Sequence, residues 1–166
     1  MAVPFNVRPS HKKDICMLIS IISLPALFNL GCHHKESQLK NMKEIINTKN
    51  APAAIGPYSQ AVWAGDLLYT SGQVALIPET GEMDNQSIET ETHRVMKNLT
   101  ALLAEASLGF EHVIKVSIFI KDMNDFAKIN EIYASYLQEP YPARETVEVA
   151  RLPKDARIEI SVVAKR

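Results

Sequence analysis

Apolar and polar positions recur along this chain with two different periods, and the breaks between them fall at proline- and glycine-bearing segments. Residues 113–120 alternate: Ile114, Val116, Ile118 and Ile120 share one face, while Lys115 and Ser117 share the other. This is the pattern of a strand buried on one side. Residues 60–64 and 67–71 flank Gly65-Asp66 and read as a hairpin closed by a tight turn. A short strand is predicted at 45–48, followed by a loop at 51–57, where two prolines and a glycine interrupt any ladder. In residues 87–106 the period changes to helical. Ile88, Val95, Leu99, Leu102, Leu103 and Ala106 fall on one stripe, with Ser87 as N-cap and Gly109 just past the end. A second helix is predicted over 124–137, capped by Asp122, with Phe126, Ile129, Tyr133 and Tyr136 or Leu137 on its buried stripe. Residues 145–149 and 157–163 read as two closing strands around the turn Leu152-Pro153-Lys154-Asp155. The sum is an α+β sheet with two helices packed on one face.

The first forty residues follow neither period. Arg8, His11, Lys12 and Lys13 precede an apolar run from Ile15 to Leu30, which ends in Gly31-Cys32. The run is shorter than the ~20 apolar residues of a membrane span. It has the order of a signal peptide, and Gly31-Cys32 resembles a lipoprotein cleavage box. The expectation is therefore a leader and tether over residues 1–41, with Cys32 lipidated and the protein periplasmic or membrane-anchored. The alternative is a cytoplasmic product starting at Met42. The domain would span residues 42–166. His33-His34 reads as polar tether, because two neighbours without a third ligand close no metal shell.

Composition narrows the chemistry. Apolar residues make up 46% of the 166 and charged residues 22%, enough for a buried core and against global disorder. A net charge of −1 argues against broad capture of nucleic acid. The two cysteines, Cys16 and Cys32, both lie in the leader, so the domain holds no thiolate nucleophile and no Cys-based zinc site.

Three polar residues stand in unusual places. Asn130 lies on the apolar stripe of the second helix, where a buried amide must find partners; by spacing it reads first as a structural amide. Arg144 stands at a strand mouth behind Pro142-Ala143, well placed to grip a carboxylate with two N–H groups, although a surface ion pair is the commoner use. Glu159 lies between Ile158 and Ile160, so alternation puts it on the opposite face, with Arg157 and Ser161. A half-buried Glu there can act as general base or acid, although a solvent-facing strand residue is commoner.

Four ordered blocks then carry a resemblance. Asn50-Ala-Pro-Ala-Ala-Ile-Gly-Pro-Tyr58-Ser-Gln, Thr70-Ser71-Gly72-Gln73, Asn124-Asp125-Phe126 with Asn130 and Tyr133, and the segment from Pro142-Ala143-Arg144 to Ile158-Glu159-Ile160 are similar to the signatures of the RidA (YjgF) family. The resemblance covers Met42 to the C-terminus. It implies a chorismate-mutase-like mixed sheet, a homotrimer, and clefts between subunits in which small 2-imino and enamine acids, such as 2-iminobutanoate and 2-iminopropanoate, are hydrolysed to 2-keto acids and ammonia without a cofactor. On the matching positions, Arg144 would bind the substrate carboxylate. Glu159 would activate water, with the backbone carbonyl of Thr146 sharing it. Tyr58, Ser71, Gly72 and Asn130 would line the pocket. The chain departs from the family pattern at Glu145, where a small residue is usual. A rival reading is a non-catalytic, small-carboxylate-binding or regulatory trimer using the same cleft; the presence of Arg144 favours the enzyme.

Overall fold

The computed structural model describes residues 43–166; the expectations for residues 1–41, including lipidation of Cys32, lie outside them. Six strands form one sheet in the order β1-β2-β3-β6-β4-β5. They are β1 (Glu44–Ile46), β2 (Ala61–Ala64), β3 (Leu67–Thr70), β4 (Val113–Ile120), β5 (Ala143–Glu148) and β6 (Ile158–Lys165). All neighbours run antiparallel except β4 and β5, which are parallel and joined through α2 (Phe126–Ser135). Helix α1 (Ile88–Glu105) connects β3 to β4. The mixed α+β class expected from the two hydrophobic periods is the class observed.

Local chemistry accounts for the elements. Ala64 pairs with Leu67, so Gly65-Asp66 is the two-residue turn, and Gly65 takes the left-handed backbone (φ 62°) such a turn requires. Ser87 caps α1 by accepting from the Thr90 N–H at 3.1 Å. Asp122 accepts from the Asn124 N–H at 2.9 Å. The residues after it form one 3-10 turn before α2, so the regular helix is shorter at both ends than its apolar stripe suggested.

The core lies between the sheet and both helices. Val95, Met96, Leu99 and Leu103 of α1 and Ile129 and Tyr133 of α2 pack on Val116, Ile118 and Ile120 of β4 and Ile158, Ile160 and Val162 of β6. The opposite sheet face carries Tyr69, Ser117, Phe119, Glu145, Val147, Glu159, Ser161 and Val163, none of them fully buried.

Two register expectations need correction. Ile114 does not join the inward row: the β4–β6 ladder shifts between Val113 and Lys115, and Ile114 turns outward, 46% exposed, while Val113 takes the buried place. A bulge inserts one residue and reverses the alternation on one side of it. Nor does Arg157 share the face of Glu159. It precedes β6, and its side chain runs to the helix side, where it meets Glu91 of α1.

Candidate functional site

Strand β5 begins two residues earlier than its apolar pattern suggested, so Arg144 and Thr146 are both strand residues. Arg144 pairs with Val116 and Thr146 with Ile118 of β4, and cross-strand partners lie on one face. Both side chains therefore point to the helix-covered side. There Arg144 Nη1 donates to Asn130 Oδ1 at 2.6 Å, and its guanidinium carbon sits 5.2 Å from the Tyr133 ring centre and 5.6 Å from that of Phe126. No carboxylate pairs with Arg144 among the described residues. Asn130, Tyr133, Ala134, Tyr141, Pro142 and Arg144 line a cleft of about 440 Å³. Burial raises the Tyr133 phenol above its ordinary pKa, partly opposed by the Arg144 charge.

The Thr146 hydroxyl is buried and makes no hydrogen bond among the described residues. Its carbonyl has a different outlook. The Val149 N–H reaches back to Ile120 O, and alternation then turns the peptide groups of Arg144, Thr146 and Glu148 away from β4, along the edge of the sheet.

Glu159 pairs with Phe119 and faces the open side. Its surroundings come from three other segments. Gly72 packs so closely that a Cβ there would lie 1.8 Å from Glu159 Oε1. Ser71 is held by its hydroxyl donating to Ser59 O at 2.6 Å and by its N–H donating to Gln60 O at 2.9 Å. Tyr58, Ser71, Gly72 and Glu159 line a second cleft of about 290 Å³ with Ile55, Val74, Leu76, Pro153 and Lys154. Desolvation holds the Glu159 carboxyl above the usual glutamate pKa.

The sequence-derived residues thus fall into two groups on opposite faces of one sheet. Arg144, Asn130 and Thr146 form one group; Tyr58, Ser71, Gly72 and Glu159 form the other. Two supporting residues were not foreseen. Gln60 is buried, and its side chain accepts from the Thr48 N–H at 2.7 Å and donates to Thr48, Ala51 and Pro52 carbonyls at 3.0, 3.2 and 2.8 Å, fixing the loop that precedes Tyr58. Glu91, 0% exposed, accepts from the Arg157 N–H at 2.7 Å and from Arg157 Nε at 2.8 Å, tying α1 to the start of the strand that carries Glu159. Gln60 is marked in the sequence only as the last residue of the first signature block, and Glu91 only as a carboxylate inside a helical stripe. Among the described residues, no group of three or more His, Cys, Asp or Glu is placed to hold a metal ion.

Residues 48–166 match the family model described as Endoribonuclease L-PSP. A RutC family protein of Pyrococcus horikoshii is 52% identical over 123 residues, covering 74% of this chain and 98% of its own length. The chain belongs to the RidA (YjgF) family. Another RidA relative, Reactive Intermediate Deaminase A, chloroplastic, from Arabidopsis thaliana, is 46% identical over 122 residues, which is 74% of this chain and 65% of that protein. Among solved structures, E. coli TdcF with bound serine superposes with a TM-score of 0.71 at 43% identity, over 75% of this chain and 99% of that one.

The comparisons also correct the leader reading. The family match opens at residue 48, and nearly the whole of the Pyrococcus and E. coli proteins is spanned by three quarters of this chain, so residues 1–41 have no counterpart in them. The signal-peptide and lipoprotein assignment, with acylation at Cys32 and membrane attachment, loses its support and is withdrawn. It rested on the order of a basic stretch, an apolar run and Gly31-Cys32, and that run is broken by Pro25 and Asn29. Among the described residues, no helix is long and apolar enough to cross a membrane.

Proposed function

We propose that this RidA-family chain is a hydrolase of reactive 2-imino acids, with 2-iminopropanoate and 2-iminobutanoate as the type substrates. The observation that carries the reading is an arginine with no acidic partner among the described residues, held in a cleft, together with a desolvated glutamate held against a glycine. The deaminase name of the Arabidopsis relative points the same way.

Arg144 and Glu159 lie on opposite faces of one sheet, so one substrate meets both only where two copies adjoin. We therefore place the site between subunits of a homotrimer, closed by repeated heterologous contacts. Such a contact would cover the open sheet face. In the shared cleft, Arg144 takes the substrate carboxylate through two in-plane N–H groups. That fixes the imine carbon relative to one water, which is held by the Glu159 carboxylate of the adjoining copy and by the Thr146 carbonyl. Glu159 accepts a proton as the water oxygen bonds to the imine carbon. Attack on the iminium gives a neutral carbinolamine; Glu159 returns its proton to the nitrogen, ammonia leaves with the C–N electron pair, and the Glu159 carboxylate takes the hydroxyl proton as the C–O bond becomes the ketone of the 2-keto acid. An iminium carbon is already electrophilic, so orientation and one base supply much of the acceleration. We propose residues 42–166 as the catalytic domain and the cytoplasm as its location.

The test is hydrolysis of freshly generated 2-iminopropanoate. Wild type should exceed the spontaneous rate, and Glu159→Gln should lose ~10²–10⁴-fold in kcat while still binding the 2-keto acid product. Binding without turnover in the wild type would instead establish the non-catalytic, carboxylate-binding alternative.

A further inference from the structure

Arg144 is unusual among the cations of this domain in how it is held. Arg94, Arg151 and Arg157 each bond a carboxylate through Nε, and Arg166, which lies over the Trp63 ring at 4.6 Å, also has Asp66 at 3.9 Å. Arg144 instead meets three residues of α2, at positions 126, 130 and 133, which fall on one stripe of the helix. Asn130 Oδ1 takes one of its five N–H donors at 2.6 Å. The rings of Phe126 and Tyr133 receive the cation at 5.6 and 5.2 Å, within the ~6 Å range of a cation–π contact.

The difference has a chemical consequence. A carboxylate partner would fix the guanidinium equally well, but it would occupy the paired N–H groups that a substrate carboxylate needs and cancel the charge that attracts it. An aromatic face stabilises the cation through its quadrupole and accepts no in-plane hydrogen bond. A neutral amide takes a single donor. The remaining four donors carry no hydrogen bond among the described residues. We propose that Phe126 and Tyr133 are positioning residues of the carboxylate site, which hold Arg144 in place without consuming its binding edge. This rests on the reading of Arg144 as the carboxylate-binding residue. It also assigns Tyr133 a role through its ring, with the phenol hydroxyl dispensable.

The test pairs binding with a readout that does not depend on activity. Proton–nitrogen NMR of the Arg144 Nε–H, assigned by its loss in Arg144→Ala, reports ring currents from the two aromatics. In the wild type the signal should be displaced from the position of free arginine. Phe126→Leu and Tyr133→Leu should each move it back, and Tyr133→Phe should leave it in place. Affinity for the 2-keto acid product should fall about 3- to 30-fold in each leucine variant, the range set by cation–π contacts. Tyr133→Phe should bind within about 2-fold of wild type, because a phenyl face also attracts the cation. Phe126 is only half-buried, so its leucine variant carries the test if Tyr133→Leu fails to fold. Leucine variants that bind normally with an unmoved Nε–H signal would overturn the proposal. So would Tyr133→Phe as impaired as Tyr133→Leu, which would make the hydroxyl the acting group. If the wild type binds no 2-keto acid, the carboxylate-site reading fails separately, and the NMR shift still decides whether the aromatic pair holds Arg144.

Discussion

Replacing Gly72 by alanine should separate the placement of the Glu159 carboxylate from the stability of the fold. An alanine Cβ would stand 1.8 Å from Glu159 Oε1, 2.6 Å from Cδ and 2.9 Å from Cγ. Ordinary contact begins near 3.4 Å, so the carboxylate must retreat by roughly 1.5 Å, a distance set by van der Waals repulsion. The obstacle is the Glu159 side chain from Cγ outward, so a change of its χ1 rotamer clears the contact without the backbone yielding. Gly72 does not use the left-handed region, so the substitution carries no backbone penalty. A displaced rotamer costs ~0.5–1.5 kcal/mol, and the stiffer unfolded chain offsets ~0.4–1 kcal/mol of that. The net change should stay within about 1 kcal/mol, a few degrees in Tm. Catalysis is far less tolerant: a base misplaced by about 1 Å loses on the order of 10²-fold. The assay follows 2-keto acid formation from freshly generated 2-iminopropanoate, with the spontaneous rate subtracted, beside a thermal melt. A folded Gly72→Ala protein with kcat reduced about 100-fold is the expected result. Unchanged turnover would refute the role of the Glu159 carboxylate, and collapse of the fold would refute the claim that only a side chain must move.

Arg144→Ala should abolish binding of 2-keto acids while the protein stays folded, and Arg144→Lys should restore little, because an ammonium lacks the planar pair of donors; isothermal titration with the product decides it. The acid limb of kcat/KM should lie above the ordinary glutamate range, because burial raises the Glu159 pKa and the base acts only when ionised. The stability sign follows from the same shift. The unfolded chain ionises at the lower pH, so stability falls as pH rises from the unfolded to the folded pKa of Glu159 and is constant above it. Glu159→Gln should remove that fall in a denaturation series across pH. Glu91→Gln should destabilise the protein by roughly 2–3 kcal/mol, below the ~3–5 of a fully buried pair because Arg157 keeps about a third of its side chain in solvent; urea unfolding measures it.

The hydrophobic periods made the elements legible. The buried face of the eighteen-residue α1 is mostly apolar along its length, with Glu91, Thr92 and Asn98 as polar exceptions, and the hairpin at Gly65-Asp66 carried its turn type in its sequence. Legibility failed where one residue changes the register. Nothing in Val113-Ile114-Lys115 marks a bulge, because all alternations of a β-rich string look equally good until the partner strand is known. The failure at Arg157 has a different source: its partner, Glu91, lies 66 positions away on a helix, and no local pattern pairs them. Arg144 behind its proline turn and Glu159 between isoleucines stood out in the sequence, but spacing alone read them first as a surface ion pair and a solvent-facing strand residue, and the resemblance supplied the roles proposed for them. Their division between two faces was not legible, because it depends on the parallel pairing of β5 with β4 and the antiparallel pairing of β6 with β4. A face assignment needs both registers, and sequence supplies neither.

That division is also the most direct point of attack on the account. If Arg144 and Glu159 of different copies form each site, two inactive variants should repair one another. Arg144→Ala and Glu159→Gln subunits, unfolded, mixed in equal amounts and refolded together, should regain imine hydrolysis. In a cyclic oligomer mixed at random, about a quarter of the interfaces join an intact Arg144 to an intact Glu159, so about a quarter of wild-type activity should return. Each variant refolded alone should stay inactive. A mixture that refolds into oligomers and remains at the spontaneous rate would contradict a site shared between copies.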